Sequence, residues 1–127
     1  MIRLSVASVR PTLAALVLAA AFTAPAAQAT PDARASAEID ALLGNIARSN
    51  CTFVRAGKEY TGAEARKHLE FKLGFVRSRL DTADQFVRDL ASTSSSTGEA
   101  YHIRCNGNDN LARNWLDAQL KTIRGQQ

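Results

Sequence analysis

The chain has 127 residues, 46% of them hydrophobic and 22% charged, with a formal net charge of +4. That length supports one modest core and excludes a second domain. Two cysteines and two scattered histidines have no zinc-ligand spacing, which excludes a zinc centre of the usual kind.

The N-terminus carries the strongest signal. Arg3 and Arg10 precede a short apolar run over residues 13–22, which ends at Pro25 and Ala27-Gln28-Ala29. A charged start, a short apolar stretch and a small-x-small site make a secretory signal peptide over residues 1–29, cut between Ala29 and Thr30. The run is too short for the ~20 residues that span a bilayer, and no later segment approaches that length. The expected mature chain therefore has no membrane span and resides in the periplasm. Removing the first 29 residues leaves 98 of the 127, and 14 Lys and Arg then face 12 Asp and Glu. The basic excess nearly vanishes, and the remaining charges are interspersed as on a solvated surface. No basic stripe with interleaved aromatics remains, so nucleic acid is not an expected partner.

Residues 30–36 read as a mobile tail, with Ser36 as an N-cap, and the globular domain as residues 37–124. Helix one follows over about residues 36–48, with Ile39, Leu42, Leu43 and Ile46 on one face. Cys51-Thr52-Phe53-Val54-Arg55 reads as a strand, 56–59 as a turn. Thr61 and Glu64 form a capping box that opens helix two, expected to run to about Leu80. Its main stripe is Ala65, Leu69, Leu73, Val76 and Leu80. Phe71 and Phe75 lie roughly 200° from Leu69 at about 100° per residue, beside Glu64 and His68. A helix apolar on two sides is usually covered on both, so these rings are expected in the core. The alternative is a partner face made of Phe71, Phe75 and His68.

Thr82 and Gln85 form a second capping box, and Ala83, Phe86, Val87, Leu90 and Ala91 give the stripe of helix three. Residues 92–98 read as a polar, flexible loop. Tyr101-His102-Ile103-Arg104-Cys105 reads as a second strand, and residues 106–110 as a turn that caps helix four, over about 111–124. The predicted fold is α+β: a small helix-rich domain of about four helices and one short antiparallel strand pair. Setting Cys51 opposite Cys105 brings Phe53 to Ile103 and Arg55 to Tyr101, with the apolar residues on one face. An oxidising compartment favours a Cys51–Cys105 disulfide, and closing about 55 residues adds ~4 kcal/mol by chain entropy. Two free thiols or a metal pair is the alternative.

Few residues suggest chemistry. His68 and His102 could act as general acid and base, but His68 sits on a charged helix and His102 points away from Ile103. The serines of residues 92–96 lack a nucleophile elbow. No glycine loop that would cradle a phosphate is present, and no cofactor is expected. Arg55, Tyr60, Tyr101 and His102 could gather at one end of the strand pair, where an Arg flanked by tyrosines can hold a carboxylate or a sugar-like ligand.

Several segments carry a resemblance. Ser49-Asn50-Cys51-Thr52-Phe53-Val54-Arg55 with Gly57 and Tyr60, and His68-Leu69 with Lys72-Leu73, come first. Ala83 with Phe86-Val87, Ser94-Ser95 with Gly98 and Tyr101, and Trp115-Leu116 with Leu120 complete it. Over about residues 39–120 the chain resembles DUF5329, a family of small exported bacterial proteins of unknown function. Where the family has Asn before the turn glycine this chain has Ala56, so no side-chain role is carried over there. The resemblance implies a periplasmic location in a Gram-negative cell and no assigned activity. The functional expectation is a non-catalytic cell-envelope module that binds an envelope protein or a glycan-like ligand. A small envelope hydrolase using His68 or His102 is the alternative.

Overall fold

The computed structural model describes residues 20–24 and 31–126. Most of the segment read as a signal peptide, with its expected cut between Ala29 and Thr30, lies outside the described residues. Among the described residues, no helix is long and apolar enough to cross a membrane.

Helix α1 spans Pro31–Arg48. It starts five residues before the expected Ser36, so the segment read as a tail is helical from Pro31. Proline suits a first helical position, because no N–H has to be satisfied there. Ala35 is already buried one turn before Ile39, which extends the apolar stripe toward the N-terminus. Ile39, Leu42, Leu43 and Ile46 are all buried, and α1 packs against helices on either side of it.

Four strands follow where one pair was expected. They are β1 (Thr52–Arg55), β2 (Lys58–Tyr60), β3 (His102–Cys105) and β4 (Asn108–Leu111), in the antiparallel order β2-β1-β3-β4. The central pair has the expected register, with Phe53 opposite Ile103 and Thr52 opposite Arg104. One residue beyond, a disulfide joins Cys51 to Cys105 with Cα atoms 4.5 Å apart, the separation of a directly opposed, non-hydrogen-bonded pair. The edge strands arise from two-residue hairpin turns. Ala56-Gly57 (φ 49° and 73°) and Asn106-Gly107 (φ 51° and 79°) both take left-handed backbone at two successive residues. That is the twist-matched turn of a tight hairpin, so the segment read as a helix-four cap is a turn followed by a strand.

Helix α2 spans Gly62–Gly74 and keeps the predicted capping box. Glu64 N donates to Thr61 Oγ1 at 3.2 Å, and Thr61 N donates to Glu64 Oε2 at 2.7 Å. The helix ends at Gly74 instead of running to Leu80. A 3₁₀ turn, Arg77–Arg79, then leads to α3. That helix opens α-helically at Ala83–Gln85 and continues as a π-helical turn, Phe86–Ala91. Thr82 accepts from Gln85 N as expected, but Gln85 Oε1 reaches back to Asp81 N, not to Thr82 N. The loop after α3 is tied down: Ser92 and Ser94 are buried, Ser92 Oγ donates to the Val87 carbonyl, and Thr93 bridges to Ala100.

Helix α4 spans Ala112–Gly125 and buries Ala112, Leu116 and Leu120. Near its C-terminus, Arg124 ion-pairs both the buried Glu38 of α1 and Asp84 of α3. The helices cover one face of the sheet, where Phe53 and Ile103 are buried. The other face is open and carries Arg104 ion-paired to Glu59 and Asp109, with His102 Nδ1 2.7 Å from Asp109 Oδ1.

Candidate functional site

The site grows out of strand parity. Residues 53 and 55 share the inner face of β1, and Tyr60 lies opposite Phe53 on β2. Arg55 and Tyr60 therefore point toward the helices at one end of the sheet. Tyr101, next to β3, is buried at the same end. Helix α2 crosses this end and adds His68.

The side chains form one hydrogen-bonded chain. Arg55 Nη2 donates to Tyr60 Oη at 3.2 Å, and its guanidinium lies 5.2 Å from the centre of that ring. Arg55 Nη1 lies 2.8 Å from His68 Nε2 and 3.1 Å from Nδ1. Guanidinium has no acceptor, so the imidazole must accept and is neutral. Tyr101 Oη lies 3.4 Å from His68 Nε2. Lys72 Nζ donates to Tyr101 Oη at 3.2 Å, and to the carbonyls of Leu90 (2.6 Å) and Thr93 (3.2 Å). All three ammonium donors are used, two of them on backbone left open where α3 ends.

Electrostatics follow from that geometry. Burial, then the charges of Arg55 and Lys72, hold the His68 imidazole below its usual range. Burial, then Arg55, lowers Lys72, while burial raises the Tyr101 phenol. Among the described residues, neither Arg55 nor Lys72 has a carboxylate ion pair. Glu64 is nearby, but its carboxylate caps α2.

A cavity of about 420 Å³ opens beside this chain. Its polar lining includes Arg55, Tyr60, Glu64, Lys67, His68 and Tyr101, and its apolar walls include Phe53, Ala65, Leu69, Ala91 and Ala112. Phe71 stands at its edge. Lys72 does not line it and acts through Tyr101. Unpaired cations, phenolic hydroxyls and apolar walls together suit an anion with an apolar body. Among the described residues, no cluster of His, Cys, Asp and Glu could hold a metal ion.

The structure brings Arg55, Tyr60 and Tyr101 together and leaves His102 out. His102 is adjacent to Tyr101, so it faces the open side, where its Nδ1 lies 2.7 Å from Asp109 Oδ1. His68 fills the place expected for it. Phe71 and Phe75 are not core: they are 68% and 67% exposed, and their rings meet edge to face at 5.1 Å. The core is closed without them by Leu69 and Leu73 on the opposite face of α2. Lys72 was missed, although its position one turn after His68 is a usable signal.

Comparison with known proteins gives a family and no activity. The uncharacterized protein YfeK of Salmonella typhimurium is 44% identical over 86 residues, covering 67% of this chain and 71% of that protein. No solved structure matches the chain. The profile of a family of unknown function, DUF5329, matches residues 33–124, and the chain belongs to that family.

Proposed function

We propose that the protein is an exported, non-catalytic binding module of the cell envelope that takes a small anionic ligand in the cavity between α2 and the sheet. One observation carries this reading. Arg55 lines an apolar-walled cavity, Lys72 stands behind its Tyr101, and both bond only neutral acceptors. A ligand carboxylate would supply the missing negative charge, with Tyr60 and Tyr101 as further donors. Export is supported by the leader sequence and by the disulfide, which suits an oxidising compartment. The hydrolase alternative loses its two-histidine form, because His68 and His102 lie on opposite faces of the sheet.

Native mass spectrometry of protein purified from periplasm tests the reading. A copurifying small anion that disappears in Arg55→Gln is the expected result. An unliganded protein that binds no organic anion contradicts it. N-terminal sequencing of the same material should begin at or near Thr30, whereas an intact Met1 contradicts export.

A further inference from the structure

We infer that the ligand is a single-chain acyl carboxylate, with its head at Arg55 and its tail on the apolar track that leads to Phe71 and Phe75. This rests on the binding reading above and specifies the ligand.

Three observations favour an acyl chain over an acidic sugar. First, the apolar walls of the cavity are Phe53, Ala65, Leu69, Ala91 and Ala112, whose side chains offer hydroxyl groups no partner. Burying unpaired hydroxyls there is unfavourable, whereas burying methylene groups is favourable. Second, the charged residues that line the cavity are Arg55, Lys67 and Glu64, a net single positive charge, and Lys72 stands behind Tyr101. A singly charged head matches that better than a polyanion. Third, His68, Phe71 and Phe75 follow at three- and four-residue steps on one side of α2. The cavity's polar end therefore continues into two exposed, mutually packed rings. The track extends about 10 Å beyond His68 at 1.5 Å per residue. An exposed apolar patch rimmed by polar residues is one mark of a ligand groove.

Isothermal titration with decanoate, decanol and acetate, all below micelle-forming concentration, tests the inference. Decanoate should saturate one site and bind at least tenfold more tightly than either of the others. Arg55→Gln should weaken decanoate at least tenfold, with partial recovery in Arg55→Lys. Phe71→Ser should weaken decanoate severalfold with an unchanged melting temperature, because the ring is exposed. If acetate binds as tightly as decanoate and Arg55→Gln abolishes both, the anion site stands and the acyl inference falls. If decanol matches decanoate and Arg55→Gln changes nothing, both readings fall. A ligand-free dimer that Phe75→Ser dissociates would assign the rings to a second copy and overturn the inference.

Discussion

Single backbone positions explain much of this small fold. Ala56 and Asn106 hold equivalent places in the two hairpins, and both have left-handed φ, 49° and 51°. Asparagine adopts that conformation more readily than alanine, since an L-residue without a short polar side chain loses ~1–2 kcal/mol there. Ala56→Asn is therefore expected to raise stability by ~0.5–1 kcal/mol, read as a higher urea midpoint. Gly62 is constrained differently. A Cβ there would lie 2.3 Å from the Ile46 carbonyl oxygen of α1. Gly62→Ala should destabilise by ~1–3 kcal/mol through overpacking, and an unchanged midpoint would contradict the packing of α2 on α1. His68 sets a pH dependence. Its folded imidazole titrates below the ordinary 6.5, so the unfolded chain takes up the proton first as pH falls. Stability contributed by neutral His68 is complete above pH 6.5 and declines below it, until the folded imidazole titrates. An NMR titration of the ring should give a midpoint below 6.5, and His68→Gln should flatten the acid limb. A midpoint at or above 6.5 would contradict the arrangement around Arg55.

Elements were legible from sequence where a local rule acts alone. The α1 stripe, the Thr61–Glu64 capping box and the β1–β3 register depend on residues close in sequence or on period two, and all three are present. The edge strands were not legible. Lys58, Glu59, Asn108, Asp109 and Asn110 are polar, and they pair because their hairpin turns deliver the backbone, not because of any apolar alternation. The end of α2 was hidden by Val76 and Leu80, which extend the stripe in sequence but follow Gly74 into a 3₁₀ turn. The site was half legible. Parity brings Arg55, Tyr60 and Tyr101 to one face, and the same parity excludes His102. His68 and Lys72 join only because α2 docks across the sheet, a contact no local pattern encodes. The disulfide clamps the central strands where the two hairpins meet. Cys105→Ala is expected to lower stability by ~2–5 kcal/mol, the usual cost of removing a native disulfide from a small domain. A denaturation midpoint equal to that of the parent would show that the hairpins hold the sheet without it.

At the scale of the molecule, the two faces of the sheet divide the work. The open face pairs its own charges, with Glu59 and Asp109 on Arg104, and His102 lies within hydrogen-bond reach of Asp109. Arg124 likewise satisfies Glu38 and Asp84 at the far end of the helix layer. The cavity end differs: Arg55 and Lys72 bond only hydroxyls, carbonyls and an imidazole, the one carboxylate in the lining, Glu64, caps α2, and the exposed aromatic pair lies on the same side of that helix. That imbalance is the basis for assigning anion binding to the inner face. Chemical-shift mapping of decanoate on isotope-labelled protein tests the assignment most directly. The amides of Arg55, Tyr60, His68 and Tyr101 should move to saturation together, while those of Glu59, Arg104 and Asp109 stay in place. Shifts centred on Arg104 and Asp109, or none at the highest soluble decanoate concentration, would contradict it.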